Sequence, residues 1–531
     1  MLTTEIKNKV QILWDRLWAG GHSNPITAIE QISYLLFMKR LEIFHPKVPK
    51  QYKWSFYTKL EGKELVTHLK NKVFEYIKYE LAKENEPFAK AMKDAVFVIN
   101  KPSLLKDAME FIDSIYVDID NEIKKNKQHF NDIQGDVYEH LLKHTSEAGK
   151  NGQFRTPRHI IHMMAEILDP DLDGKICDIA CGSGGFLVGA YQHIITKYSK
   201  KTERDDDGLL KGIDGAKLSA RQLKKLQENT FYGYDIDQTM VRIGVMNLMM
   251  HGITKPDIEN IDTLSSRYEE LEAERLSLKL DLKSKKSLAN PKLQGQYKYI
   301  LANPPFTGQI DDLGISDNID RTYPPKYDAD GVKKKQTVQS ELLFLERIIY
   351  MLEDKGRAAV IVPEGVLFNS GNSHKVIREI LMTDCNLEGV ISLPSGIFQP
   401  YAGVKTSILI FSKRKFKNGF DKPQTLDVWF YEMESDGYSL DMNRKRLKNE
   451  PLPKTIELWK KRNNKGLNDR KTQHFKIPYS EIKENGFELN FNLYKEFVYE
   501  PKEFEPTSSI LKKLTQLELD IKKGLDELNS L

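Results

Sequence analysis

The sequence predicts an α/β protein: an open, mostly parallel sheet of seven strands, preceded by a helical domain and followed by a lone helix. Three observations point there. From residue 149 onward, short apolar runs such as Lys175–Cys181, Phe231–Ile236 and Tyr297–Ala302 alternate with amphipathic helical stretches, the pattern of repeated βα units. The first run opens into the turn Gly182-Ser183-Gly184-Gly185 and then a helical segment, as a nucleotide-binding sheet begins. Residues 1–148, by contrast, keep helical spacing with little β-branched alternation.

At 531 residues the chain exceeds what one core can serve. Three units are expected: 1–148, helical; 149–475, catalytic with a basic extension; and 476–531, a tail ending in a coiled-coil-like helix. With 40% hydrophobic and 29% charged residues, the composition is that of a globular protein. No window approaches 18 uncharged apolar residues, and the first residues hold no signal-peptide core. No membrane is therefore expected, and the cytoplasm is the default location. Cys177, Cys181 and Cys385 cannot build a disulfide framework and lack zinc spacing, so no metal is expected. Cys177 and Cys181 read as small packing residues. A net charge of +4 permits contact with nucleic acid without arguing for it.

Taken in order, Ile26, Ile29, Ile32, Leu35, Leu36 and Met38 predict a helix after the breaker stretch 20–25, with similar segments near 64–82, 103–125 and 133–144. The loop 149–158 is expected to close on Pro157 as the first residue of a helix reaching Leu168, with Thr156 as its cap. After strand 175–181 come the glycine turn, where backbone and ligand can approach closely, and the helix Phe186–Tyr198. Asp178 could bond a ligand or tie down the loop. Phe231–Ile236 ends in acids, and Asp235 is placed for a ribose diol, with Asp237 second or as a helix cap. A third strand end near 258–261 leaves Asp262 at the rim. Residues 267–292 read as a charged helical insert.

The polar stretch from Phe306 to Gln339 is long for a connection and suits a lid or a ligand-ordered segment. The helix Glu341–Leu352, the strand Arg357–Val362 and an antiparallel pair at 387–394 and 405–413 bring the count to seven strands. The basic strip from Arg444 to Lys471 fits either a solvated face or a phosphate-facing one. Ile510, Leu514, Leu517, Ile521 and Leu528 space a partner helix.

The chemistry is carried by Asn303-Pro304-Pro305-Phe306, where two prolines stop the strand 297–302 at its carboxyl end. An exocyclic amine on an aromatic ring is a poor nucleophile because its lone pair is delocalised. The Asn303 side-chain carbonyl and the Pro304 backbone carbonyl could each accept one of its N–H groups and draw the nitrogen towards tetrahedral geometry. Proline rings stiffen the loop, and Phe306 offers a face for a base.

These motifs resemble those of the modification subunits of type I restriction-modification systems, which are DNA N6-adenine methyltransferases. The resemblance runs through Asn24-Pro-Ile-Thr-Ala-Ile-Glu-Gln-Ile-Ser-Tyr-Leu-Leu-Phe37, Gly152–Pro157, Asp178–Phe186, Asn303–Phe306, Leu393-Pro-Ser-Gly-Ile-Phe398 and Asp436-Gly-Tyr-Ser-Leu-Asp441. It implies the Rossmann-like fold of S-adenosylmethionine-dependent methyltransferases, with that cofactor held by Gln153, Phe154, Arg155, Thr156, Pro157 and Arg158, the 182–185 turn and Asp235. Asp262 would sit by its adenine. It also implies a target adenine flipped from duplex DNA, and a specificity subunit joined by two copies of this chain, with a restriction subunit able to add on. Two other readings stay open on the residues alone: methylation of another planar amide or amine, and a DNA-binding scaffold with a decayed site.

Overall fold

Parallel strands covered on both faces read as unbroken apolar runs, and Tyr297–Ala302 is buried at five of its six positions. It lies near the middle of a nine-stranded sheet in the computed structural model. That structure describes residues 3–21, 24–44, 47–126, 130–142, 155–212, 214–279, 290–306, 308–312, 314–399, 403–414, 423–441, 444–464, 466–497 and 506–529. The sheet's strands are β1 (Ile176–Asp178), β2 (Phe231–Asp235), β3 (Asp257–Asn260), β4 (Tyr297–Ala302), β5 (Leu352–Pro363), β6 (Cys385–Ser392), β7 (Thr406–Lys413), β8 (Asp427–Glu432) and β9 (His474–Pro478). Their spatial order is β9-β8-β6-β7-β5-β4-β1-β2-β3. The first five are mutually parallel, and β7 runs antiparallel between β5 and β6.

The seven expected strands are present, and two more extend the edge: β8 is parallel to β6, and β9 antiparallel to β8. β8 lies within, and β9 at the end of, the stretch read as a basic extension, although Val428 to Tyr431 are all buried. β9 straddles position 475, where the catalytic unit was expected to end. Ile482, Phe491 and Tyr494 beyond it pack into the same core as β8.

One hydrophobic core joins a face of the sheet to the N-terminal helices Thr4–Ala19, Pro25–Phe44, Pro102–Asn126 and Phe130–Leu142. Pro25 begins its helix, and Asn24 Oδ1 accepts the Ile26 N–H at 3.0 Å. Glu30 on that helix accepts from Arg242 Nε at 2.6 Å, which binds the N-terminal helices to the helix Gln238–Met250. The other core underlies the helices Arg267–Arg275, Ser340–Met351 and Asn372–Thr383. The rest of the charged insert, 280–289, lies outside the described residues.

The stretch expected as a lid is anchored. Gln309–Asp311 pairs antiparallel with Thr337–Gln339, and Ile319 is buried. Ser316 Oγ and Asn318 Nδ2 donate to Glu269 at 2.9 and 3.1 Å, and Glu269 is itself paired with the buried Arg347 at 2.7 Å. Polar residues that read as loop-forming are thus spent satisfying a buried charge pair. The C-terminal helix Thr507–Asn529 buries none of its residues. Among the described residues no helix is long and apolar enough to cross a membrane.

Candidate active site

β1 and β4 are adjacent and parallel, while β2 and β3 lie on one side of them and β5 on the other. A crevice therefore opens at their carboxyl ends, the switch point at which open α/β sheets build sites. Arg155, Thr156, Asp178, Gly182, Ser183, Gly185 and Asn303 line it, with Ile161, Cys181, Phe186 and Met240. Gln153 and Phe154 lie outside the described residues.

Asn303 follows β4 directly. Its Nδ2 donates to Thr156 Oγ1 at 3.0 Å, and its Oδ1 is buried with no hydrogen-bond partner among the described residues. A buried acceptor without a donor is costly unless a ligand completes it. Thr156 is accordingly no helix cap. The helix Arg158–Leu168 has Pro157 at its N-cap position with no side-chain cap, because the Thr156 hydroxyl is turned to Asn303. Pro304 is buried and Pro305 exposed. Phe306 is 2% exposed and meets Phe398 edge to face at 5.2 Å, so in this structure its ring is covered and presents no open face to the cleft.

In the glycine turn, Gly182 has φ +50, and a Cβ there would meet nothing nearer than Met240 Cε at 3.8 Å. Its N–H donates to Asp235 Oδ2 at 2.8 Å, and Asp235 Oδ1 accepts the Asp237 N–H at 2.9 Å. Asp235 thus ties β2 to the turn, while Asp237 caps the helix Gln238–Met250. Gly184 has φ +77, and a Cβ there would fall 2.3 Å from Leu248 Cδ1. Its smallness serves helix packing, whereas Gly182 is the position of open backbone. Asp178 Oδ1 accepts the Ala180 N–H at 3.2 Å. Burial, helped by neighbouring Asp235, pushes its carboxyl up to about 8.

Two arginines brace the loop before the helix. Arg155 pairs with Glu139 at 2.5 Å and Arg158 with Asp136 at 2.6 Å, so Arg158 holds structure outside the cleft lining. Asp262 is exposed after β3, outside that lining, with its Oδ1 on the Leu264 N–H at 2.9 Å.

Sequence reasoning missed two supports. Asn247 Nδ2, on the methionine-rich helix Gln238–Met250, donates to the Ser183 carbonyl at 2.8 Å. Asp436 accepts from His159 Nε2 at 2.8 Å and pairs with Arg444, while Tyr438 stacks on His159 at 4.5 Å. The motif Asp436–Asp441 therefore docks on the helix that follows the cleft loop. Much of the basic strip is also internally paired: Arg446 with Asp207, Lys460 with Glu166, Arg462 with Glu388 and Arg470 with Glu481. Among the described residues no His, Cys, Asp and Glu cluster could hold a metal ion.

The profile of the N-6 DNA methylase family matches residues 129–503. The EcoEI type I restriction enzyme methylase subunit of Escherichia coli is 29% identical over 462 residues, covering 83% of this chain and 80% of its own. The EcoKI methylase subunit of Escherichia coli K12 is 27% identical over 454, covering 82% and 72%. Among solved structures, the modification subunit of a putative type I restriction enzyme from Vibrio vulnificus YJ016 has a TM-score of 0.60 at 21% identity, covering 90% of this chain and 93% of that one. The type I methyltransferase subunit from Streptococcus thermophilus has 0.58 at 17%, covering 93% and 99%. At those identities the structural likeness is one of fold. With the profile spanning the whole cleft and its sheet, the chain belongs to the N-6 DNA methylase family and is an adenine-specific DNA methyltransferase related to the methylase subunits of type I restriction enzymes.

Proposed function

We propose that the cleft binds S-adenosylmethionine and delivers its methyl group to N6 of an adenine flipped from duplex DNA. The observation that carries this reading is the orphaned, buried Oδ1 of Asn303 at the mouth of β4. The residues present suit the cofactor. Gly182 leaves open space at the turn and Asp178 offers a carboxyl to an ammonium group, while Asp235, outside the cleft lining and accepting two backbone N–H groups, keeps further lone pairs for a ribose hydroxyl. Arg155 and Thr156 line the same site, and Gln153, Phe154, Pro157, Arg158 and Asp262 are further candidate contacts by resemblance alone. When bound, the cofactor supplies a methyl on a sulfonium, already a good leaving group.

The protein's part is to hold the amine. Asn303 Oδ1 accepts one N–H of the target, and the Pro304 carbonyl the other. Charge then grows on nitrogen where acceptors already stand, so little reorganisation is needed. One proton leaves to water after the N–C bond forms. Thr156 fixes which way the amide faces, since it takes the Nδ2 hydrogen and leaves Oδ1 for the substrate.

In the assembly, a specificity subunit joined by two copies of this chain chooses the DNA site, and a restriction subunit completes the complex. The relatives' type I membership and the exposed C-terminal helix support a partner of this kind, and the two-copy stoichiometry is carried by the resemblance alone. Asn303→Ala should leave cofactor affinity nearly intact and lower single-turnover methyl transfer to duplex DNA by about 10²–10³. Thr156→Val should cost rate in the same direction, with Thr156→Ser restoring it. Near-normal turnover in Asn303→Ala would remove Asn303 from the reaction.

A further inference from the structure

The anchored stretch between β4 and the helix Ser340–Met351 carries a small hairpin whose charges oppose one another. Lys334 N–H donates to Lys326 O at 2.7 Å and Asp328 N–H to Val332 O at 2.9 Å, with Tyr327 and Lys333 bridged between them. The turn is closed by Gly331 at φ +76 and by the Asp328 carboxylate, which accepts the N–H groups of Asp330 and Val332. In this register Lys326 and Lys334 stand directly opposite each other on one face, with Cβ atoms about 5 Å apart. Like charges so placed destabilise a hairpin. No carboxylate among the described residues pairs with either, and Asp328, their acidic neighbour on that face, turns its Oδ1 to the turn backbone. Val332, on the same face, is 62% exposed.

The hairpin is also fixed in place. Lys333 Nζ donates to the Asp312 carbonyl at 3.1 Å, and Lys335 pairs with Asp311 at 3.4 Å. Both acids belong to the segment that begins at Gln309, three residues past Phe306. An exposed lysine pair without a salt-bridge partner among the described residues is therefore tied to the segment that follows the Asn303–Phe306 loop.

We propose that the hairpin 326–334 is a phosphate clamp, in which Lys326 and Lys334 take a backbone phosphate of the duplex beside the flipped adenine. This rests on the reading of the cleft as a DNA methyltransferase site. A phosphate between the two ammonium groups turns their repulsion into two charge-assisted contacts. It positions the duplex at the catalytic loop without reading its sequence.

The test uses the full chain assembled with its specificity subunit, with duplex binding followed by fluorescence anisotropy over roughly 50–200 mM salt. Lys326→Ala with Lys334→Ala should flatten the slope of log K against log salt by about 0.9 per lost phosphate contact. Binding to specific and unrelated duplexes should weaken alike, with cofactor affinity unchanged. Lys326→Glu puts opposite charges across the hairpin, so it should flatten the slope without lowering the melting temperature, which separates binding from folding. An unmoved slope in both variants, alongside wild-type methylation of duplex DNA, would overturn the clamp alone. A wild-type assembly that transfers no methyl to duplex DNA would overturn the reading of the cleft and the clamp with it.

Discussion

A single carboxyl shows how far residue identity alone can be read. Asp178 sits late in a strand before a glycine turn, and its sequence position left two roles open. The structure buries it in the cleft lining with its charge opposed by burial and by Asp235. Its folded pKa of about 8 lies far above the ordinary carboxylate value, so it stabilises the free protein at low pH, and that contribution is lost as pH rises towards 8. Asp178→Asn should therefore be more stable than wild type at pH 8, by several kcal/mol at about 1.4 kcal/mol per unit, with a higher melting temperature, and the gap should close towards pH 4. A cationic ligand reverses the balance by favouring the charged form. Cofactor binding at pH 7 should release close to one proton in wild type and none in Asp178→Asn, as read by calorimetry in buffers of different ionisation heat. Asn303 was legible because its motif is contiguous. Its bond to Thr156 was not, since 147 residues separate the two and Thr156 read as a helix cap.

At the scale of elements, the βα units were legible because buried parallel strands leave uninterrupted apolar runs. β8 and β9 were not, because they fall within and at the end of the stretch read as a basic extension, although their aromatic residues pair across the strands, as Phe430 does with Phe475. The glycine turn was found, but its glycines divide the work differently from what spacing implied. Gly184→Ala should lower stability, since its Cβ collides with Leu248 on a neighbouring helix and the backbone is left-handed. Gly182→Ala meets open space, so its stability cost should be only about 1–2 kcal/mol while cofactor affinity falls. Equilibrium dialysis beside thermal melts checks this. Equal loss of binding and stability in both variants would show that the turn acts as one structural unit.

For the molecule as a whole, the sharpest contrast is between a continuous core and a helix outside it. From Ile510 to Leu528 the apolar side chains are 45 to 69% exposed, although their spacing suits a buried seam. Removing residues 506–531 should leave cofactor affinity and melting temperature unchanged and abolish co-purification with the specificity subunit. Retained co-purification would move the docking surface elsewhere on the chain. The helix Gln238–Met250 has the opposite character, because it is gripped twice. Arg242 holds Glu30 of the N-terminal helices, and Asn247, about 7.5 Å further along the axis, holds the carbonyl of Ser183. Mechanically it is a strut with no slack between its two grips. Any free energy by which a ligand stiffening the turn steadied the N-terminal helices would by reciprocity act equally in the other direction.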